Sequence, residues 1–515
     1  AEGPDGHLWL ATPVGLARFD REAASFTFYH ADPTDATSVS AGSLTRVVWD
    51  RTGVLWVGSS GYGLSRFDAR RSRFTRVAEQ RGGTVRALDA SIRSLHQDPN
   101  GTVWIGTNGL RDPGTPQIEV WSSGVPRVHE LVGHGQVWAI TGDTTGALWF
   151  GTEEGLVRRD PATGQLRHYA DADGRHPWRP EASADVAAIE GNRVFDVHVS
   201  RSGHLWIVTA RYLARLDDED AGRFTTFVHT PQRDFNVDPL FPSIHEDAEG
   251  RFWLGTETGL VRLDPATGAL RRYRTVPTDP TSLSSERIRW ITPDPRTPDE
   301  VLWIGTDGGG LNRCDMATET FAHLTTRDGL PNNVVYAVLP DEAGRLWLST
   351  NRGVARYDPE TGSVRTFDVH DGLQSNEFNA GAAFRAADGQ LFFGGIHGIN
   401  AFYPEQVADN PHAPTVVLTE LRVGGQPVAL GDSTGVLQRA LLATDELRLS
   451  HRQNAFAFTF AALDYSAPEK NRYAYRLDGF DDAWVQAGTA RTATYTNVPP
   501  GRYTFRVRGT NNDGV

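Results

Sequence analysis

The chain has 515 residues, of which 39% are hydrophobic and 22% charged, and its formal net charge is −13. This composition is that of a folded globular chain and excludes disorder as its main state. The excess of 64 acidic over 51 basic residues argues against nucleic acid as the primary partner. Lys470 is the single lysine, which excludes P-loop and Schiff-base chemistry at any other position.

The cysteine and histidine content limits metal and redox chemistry. Cys314 is the single cysteine, so the chain has neither an internal disulfide nor a cysteine metal cluster. It lies in a predicted strand, where a small buried thiol is a more common role than a nucleophile. The 16 histidines show no His-Glu-x-x-His motif and no paired metal-ligand spacing. The sequence therefore predicts no cofactor and no metal site.

A repeat of about 47 residues runs through most of the chain. Each copy has an acidic or polar residue, a turn glycine, and then a bulky apolar residue, Trp, an apolar residue, Gly and Thr. The aromatic positions are Trp9, Trp56, Trp104, Trp149, Trp206, Trp253, Trp303, Trp347 and Phe392. Eight of the 14 tryptophans occupy this one position, which excludes chance as the explanation.

Each repeat predicts four short strands. In the second repeat these are residues 45–49, 55–58, 64–68 and 74–77, separated by Gly- and Asp-rich turns. In three repeats an Asp-Pro-x-Thr-Gly segment, at 160–164, 264–268 and 358–362, predicts a tight hairpin. Four strands per repeat are typical of a β-propeller, and the Trp is then expected to pack between neighbouring blades.

One spacing departs from the period. Trp149 and Trp206 are 57 residues apart, so about ten extra residues lie in this link. The insertion carries His176, Trp178 and Arg179, residue types that suit ligand recognition. An equally favoured alternative is a loop that packs on its own ring or on the second domain.

The period stops after residue 404. Residues 410–414 are predicted to be a linker, and the tail beyond them alternates as strands at 415–419, 455–460, 473–477 and 503–507. This pattern is typical of an immunoglobulin-like sandwich.

The repeats resemble the two-component regulator propeller family. The segment 341–358, with Asp341, Gly344, Trp347 and Gly353, resembles one repeat of that family, as do the links 32–38, 279–283 and 328–333. Two repeats depart from the pattern. Arg211-Tyr212 stands where a Gly is usual, and Phe392 replaces Trp.

The tail resembles the triple-tyrosine (Y_Y_Y) domain, which follows regulator propellers in membrane sensors. The residues that carry this resemblance are Asp464, Tyr465, Tyr473, Tyr475, Gly479, Trp484, Tyr495, Gly501 and Tyr503. The two resemblances together imply an all-β chain in which a β-propeller precedes an immunoglobulin-like β-sandwich.

The resemblance implies two consecutive seven-bladed rings before the sandwich. Seven repeats counted back from Phe392 reach Trp104, so we expect blades of a preceding, truncated ring in 1–85 and a seven-bladed propeller in 86–409. Residues 410–515 are then a sandwich that lacks its C-terminal strand. The alternative is a single ring of eight or nine blades.

In a propeller, the loops between second and third strands and the links between blades share one face, which surrounds the central channel. We therefore expect ligand contacts from that face. The candidates are Tyr62, Arg111, Arg211, Tyr212, Asp307, Arg352 and His397, with His176, Trp178 and Arg179 of the insertion. Taken singly, each is more often a solvated loop residue. As a ring, their arginine, aromatic and amide groups suit a carbohydrate or an organic acid.

The resemblance implies the periplasmic ligand-sensing region of a bacterial receptor, with a kinase or cyclase output domain and a membrane anchor outside this segment. It also implies a homodimer formed through the sandwich. The expected ligand is a small molecule or an oligosaccharide. Two alternatives remain open: a propeller lyase, with His397 or Tyr212 as its base, and a scaffold that binds another protein.

Overall fold

A computed structural model describes most of the chain. The described residues are 1–32, 38–68, 74–81, 84–87, 91–107, 118–122, 125–129, 136–153, 155–169, 193–209, 212–220, 222–229, 243–407 and 409–515. They are all-β, and their helical segments are short 3₁₀ turns, none of which could reach across a bilayer. The chain divides into two compact units, one of Ala1–Ser72 with Ala408–Val515 and the other of Arg73–Val407.

The first unit begins with two antiparallel sheets of three described strands each. The first sheet contains β1 (Leu8–Thr12), β2 (Gly15–Asp20) and β3 (Ser25–Tyr29), and the second contains β4 (Leu44–Trp49), β5 (Leu55–Ser59) and β6 (Gly63–Phe67). Trp9 and Leu55 are buried between the two sheets.

The second unit contains seven four-stranded sheets within its described residues. Their strands are β7 (Thr75–Arg76), β10 (Ile92–Gln97), β11 (Val103–Thr107), β12 (Ile118–Ser122), β13 (Val125–His129), β14 (Val137–Gly142), β15 (Leu148–Thr152), β16 (Gly155–Arg159), β17 (Leu166–Tyr169), β18 (Val194–Val199), β19 (Leu205–Thr209), β20 (Tyr212–Asp218), β21 (Arg223–His229), β22 (Ile244–Glu246), β23 (Phe252–Thr256), β24 (Gly259–Leu263), β25 (Leu270–Tyr273), β26 (Ile288–Pro293), β27 (Val301–Thr306), β28 (Leu311–Asp315), β29 (Thr320–Leu324), β30 (Val335–Pro340), β31 (Leu346–Thr350), β32 (Gly353–Tyr357), β33 (Val364–Phe367), β34 (Phe378–Arg385), β35 (Leu391–Gly395) and β36 (Gly398–Phe402). A separate hairpin is formed by β8 (Ala78–Arg81) and β9 (Thr84–Ala87).

The sheets close into a propeller ring. At six of the seven junctions the first strands of neighbouring sheets pack against each other, and one of these contacts joins β34 of the last sheet to β10 of the first. Trp104 of the first sheet is buried against Val137 and Phe150 of the second, and Trp206 is buried against Phe252 in the same way. The repeat Trp therefore packs between blades.

The last sheet is completed by a strand from the other end of the unit. Arg76 of β7 pairs with Asn400 of β36, so β7 is the outer strand of a sheet otherwise built from residues 378–402. Phe74 is buried against Phe367 and Phe402, which fixes the segment there. The prediction that residues 74–77 form the fourth strand of the second repeat is thus wrong. The predicted domain limits, 1–85, 86–409 and 410–515, stay a prediction.

A hydrogen bond ties the repeat Trp to the turn before its strand. In six repeats the indole Nε1 donates to an aspartate carboxylate six or nine residues earlier, at distances of 2.7–3.1 Å. The pairs are Trp56–Asp50, Trp104–Asp98, Trp149–Asp143, Trp253–Asp247, Trp303–Asp294 and Trp347–Asp341. The other carboxylate oxygen of the Asp accepts backbone N–H groups of the turn, as Asp247 does from Glu249 and Arg251.

The strands of residues 416–510 form two sheets of a sandwich, which belongs to the first unit. One sheet has the order β38 (Gln426–Pro427), β37 (Val416–Val423), β39 (Phe456–Ala462) and β42 (Thr492–Tyr495), and the other has β41 (Val485–Gly488), β40 (Arg472–Asp478) and β43 (Thr504–Thr510). Tyrosine hydroxyls cross-link this core. Tyr473 accepts from the Ala462 N–H at 3.0 Å, and Tyr495 donates to Asp481 at 2.8 Å.

Candidate functional site

A β-bulge recurs at the start of the first strand in five of the ring's described sheets. The pairing with the second strand skips one residue after the first pair, as between Ile92 and Ser94 of β10. The skipped residues are Arg93, Trp138, Phe195, Arg289 and Tyr336. In β34 the interruption is longer and contains Asn379. Bulges redirect a side chain out of the regular ladder and are frequent beside functional sites.

The position of the bulges in the fold places them at one opening of the central channel. Ile92 at the start of β10 pairs with Thr107 at the end of β11, so the bulge lies at the face of the loops between second and third strands. The first strands are the innermost strands of the ring. We call the six residues Arg93, Trp138, Phe195, Arg289, Tyr336 and Asn379 the channel mouth.

One side of the channel mouth is aromatic. The Arg93 guanidinium lies 5.8 Å from the centre of the Trp138 ring, in a cation–π arrangement. The Phe195 ring meets Trp138 edge to face at 5.7 Å. Trp138 is half-buried and Phe195 is buried, so Phe195 supports an indole that is still partly open.

The other side of the channel mouth is a network of ion pairs. Arg289 has one terminal nitrogen 2.6 Å from Glu257 and the other 2.6 Å from Asp307, and its side chain is 7% exposed. Arg287 adds a second cation 3.1 Å from Asp307. Burial, and then the charges of Asp307 and Glu377, raise the pKa of Tyr336 above its usual value. Its phenol is therefore a neutral donor at physiological pH.

Arg93 is held differently from these arginines. It makes no salt bridge with a described residue, and burial lowers the pKa of its guanidinium, with Tyr336 acting in the opposite direction. Asn379 fixes the start of β10, the strand that carries Arg93. The Asn379 side-chain amide donates to the Ser91 hydroxyl at 3.1 Å and to the Ile92 carbonyl at 2.7 Å. Arg93 is thus a positioned, partly desolvated cation.

A half-buried aspartate, Asp196, lies next to the bulge of β18. Asp196 accepts hydrogen bonds from the backbone N–H groups of Val197 and Ile244, and so joins its own strand to the first strand of the next sheet. Burial raises the pKa of Asp196 to about 7 in spite of these hydrogen bonds. The carboxyl group therefore titrates near neutrality.

The structure brings one of the candidate ligand residues into the channel mouth network, namely Asp307. Arg352 and His397 are exposed in the equivalent turns of the sixth and seventh sheets, and the His397 backbone N–H donates to Gln374 at 3.0 Å. Tyr62 lies in the first unit and is 65% exposed. Tyr212 begins β20, with a backbone paired to His229. Arg111, His176, Trp178, Arg179 and Arg211 lie outside the described residues.

Sequence reasoning missed the bulge residues, although a positional signal was present. Arg93, Trp138, Phe195 and Tyr336 each lie eleven residues before a repeat Trp, and each follows the β-branched residue that opens the first strand. A fixed position in every repeat whose residue type varies, while its neighbours are buried apolar residues, indicates a bulge of this kind. For metal ions, the described residues offer no group of three or more His, Cys, Asp or Glu side chains that could hold one.

Family models match two parts of the chain. The model described as Two component regulator propeller matches residues 88–109 and 329–352, and the Y_Y_Y domain model matches residues 464–515. The first matches fall within the ring and the last within the sandwich.

The chain is also similar to known proteins. It is 33% identical over 198 residues to histidine kinase P4 of Formosa agariphila, an alignment that spans 38% of this chain and 14% of the kinase. It shares its fold with the extracellular domain of a proposed hybrid two component system, BT3049, from B. thetaiotaomicron, at a TM-score of 0.76 and 24% identity. That alignment covers 99% of this chain and 64% of the other. The chain thus carries two-component regulator propeller repeats followed by a Y_Y_Y domain.

Proposed function

We propose that this chain is the extracytoplasmic ligand-sensing region of a bacterial transmembrane signalling receptor. The observation that carries the proposal is the channel mouth, where bulges in five of the seven described sheets of the ring redirect one side chain each at the same end of the first strand. Those side chains include cations, aromatic rings and an amide, which together can bind a polar ligand that has an apolar face. The similarity to a histidine kinase supports the signalling role.

The signal passes from the ring to the sandwich and on to an output domain. The Y_Y_Y sandwich follows the propeller in the chain and pairs with its twin in a dimer, and a membrane anchor and an output domain lie outside this segment. Ligand binding shifts the equilibrium between two arrangements of the dimer, because the ligand binds one arrangement more tightly. The ligand itself is a small molecule or an oligosaccharide.

A thermal-shift screen against oligosaccharides and organic acids tests the binding function. A ligand at 100 times its dissociation constant stabilises the folded state by about 2.7 kcal/mol, so a true ligand raises the melting temperature measurably. We expect a hit that is recovered intact, and we expect Trp138→Ala to abolish the shift. Phe26→Ala removes an exposed ring from the first unit and is the matched control.

The alternatives predict different outcomes of the same screen. A propeller lyase would return a cleaved ligand, and a scaffold protein would show no shift with any small molecule. A shift that persists in Trp138→Ala would place the ligand outside the channel mouth and contradict the proposed site.

A further inference from the structure

The charge balance around the channel mouth is uneven. Arg289 is neutralised by two carboxylates, and Arg193, just before β18, lies 2.5 Å from Glu153. Arg93 has no such carboxylate among the described residues, although burial lowers its pKa and so disfavours its charge. A partly desolvated cation without a counterion is costly unless a bound anion completes it.

The surroundings of Arg93 define the shape of that anion. Its Nε is enclosed by protein and has no hydrogen-bond partner among the described residues. Because the Nε is enclosed, a ligand can reach the guanidinium only at its two terminal nitrogens. A guanidinium presents these nitrogens as a planar fork that matches a carboxylate. Beside it stand the half-buried indole of Trp138 and the neutral phenol of Tyr336, groups that suit a sugar ring and its hydroxyls.

We propose that the channel mouth binds an acidic saccharide, whose carboxylate pairs with Arg93 and whose ring packs beside Trp138. This inference rests on the proposed function and deepens it by naming the ligand class. A neutral sugar would leave the guanidinium unpaired, and a small organic acid would leave the indole unused. The carboxylate and the ring are therefore both required for tight binding.

Isothermal titration calorimetry with matched probes tests the inference. The probes are oligogalacturonates and oligomannuronates of two to six residues, the same oligosaccharides after reduction of their carboxyl groups, and citrate as a ring-free carboxylate. We expect one carboxylated oligosaccharide to bind at least about 30-fold more tightly than its reduced form and than citrate, the loss expected for a missing partner in an enclosed charge pair.

Variants assign the effect to Arg93. Arg93→Gln is expected to weaken the carboxylated probe by at least about 30-fold and to leave the reduced probe unchanged, and Arg93→Lys is expected to recover part of the loss. Arg385→Gln is the matched control, because Arg385 lies at the opposite end of the first strand β34. Far-UV circular dichroism and melting curves identify any variant that fails to fold, in which case the reduced probes carry the test on the parent chain.

The outcomes separate this inference from the proposed function. Equal binding of carboxylated and reduced oligosaccharides, sensitive to Trp138→Ala and not to Arg93→Gln, would overturn the acidic ligand and leave the sensor intact. Binding of citrate as tight as that of the saccharides would also overturn it. Cleavage of a probe would overturn the sensor itself, and no binding of any carboxylated probe would overturn the ligand class.

Discussion

At the scale of single residues, the indole–carboxylate hydrogen bond explains a correlation within the chain. Six repeats have an Asp that pairs with the repeat Trp, but Ser200 stands there before Trp206 and Gly3 stands there before Trp9. The Nε1 of Trp206 and that of Trp9 are both buried without a hydrogen-bond partner among the described residues. Ala386 stands there in the last repeat, where the aromatic residue is Phe392, which has no N–H to satisfy. A buried donor left unpaired costs about 1–3 kcal/mol, so the two positions depend on each other.

Ser200→Asp is therefore expected to stabilise the ring. The new carboxylate can accept from the Trp206 indole, as Asp247 does from Trp253 at 3.0 Å, and should raise the free energy of unfolding by about 1 kcal/mol. Chemical denaturation at pH 7 measures the change. Ser202→Asp adds the same charge at an exposed position of the same turn and should have no comparable effect. Equal effects of the two substitutions would contradict the hydrogen-bond explanation.

The raised pKa of Asp196 predicts a dependence of stability on pH. Because the folded pKa of about 7 lies above the unfolded value, this residue's contribution to stability falls as pH rises from about 4 to 7 and is constant above that. Asp196→Asn keeps an acceptor and removes the charge. It should be close to the parent near pH 4.5 and exceed it at pH 8 by about 3 kcal/mol.

Melting temperatures of the parent and Asp196→Asn between pH 4.5 and 8 provide the test. Asp220→Asn is the control, since the Asp220 side chain is fully exposed. A constant difference between Asp196→Asn and the parent across this range would show that Asp196 ionises normally.

At the scale of elements, much of the architecture follows from sequence. The Trp period and the short strands between turns predicted an all-β propeller followed by a sandwich, and this fold class is confirmed. The partner of the segment 74–77 could not be predicted, because a short apolar strand fits the edge of any blade equally well. Its place is decided by contacts of Phe74 with Phe367 and Phe402, which lie 293 and 328 residues further along the chain.

Phe74→Ala tests the ring closure by β7. Removing this buried ring, which is 3% exposed, should lower the free energy of unfolding by about 3–5 kcal/mol. It should also speed hydrogen exchange at β36, which loses its neighbour. Leu270→Ala, at a half-exposed position of β25, is the control and should cost much less. A Phe74→Ala variant as stable as the parent would mean that β7 contributes little to closure.

The candidate site was predicted less well than the fold, for a physical reason. Propeller geometry predicts which face of the ring carries the loops, and the structure places Asp307 there beside Arg289, while a ligand role for Asp307 stays a prediction. A bulge depends on a pairing register that no local pattern reveals, so Arg93, Trp138 and Tyr336 resemble ordinary strand residues in the sequence. Arg352 and His397 were predicted from their chemistry and their loop position, and both lie in exposed turns.

At the scale of the whole molecule, the propeller ring and the sandwich have different roles in the proposed function. The ring supplies a channel mouth with fixed side chains, and the sandwich supplies a second domain whose core is cross-linked by tyrosine hydroxyls. The proposed sensor function requires a ligand that binds at the ring without being cleaved. In the proposed function, this ligand binds at the bulges of the first strands.

Hydrogen–deuterium exchange of the chain, with and without the ligand found by the thermal-shift screen, measures where that ligand binds. We expect slower exchange in the presence of ligand at residues 92–95, 137–139, 288–290 and 335–337, the starts of four first strands on one face of the ring. Protection confined to the outer strands of the ring, or to residues 1–68, would contradict a ligand site at the channel mouth.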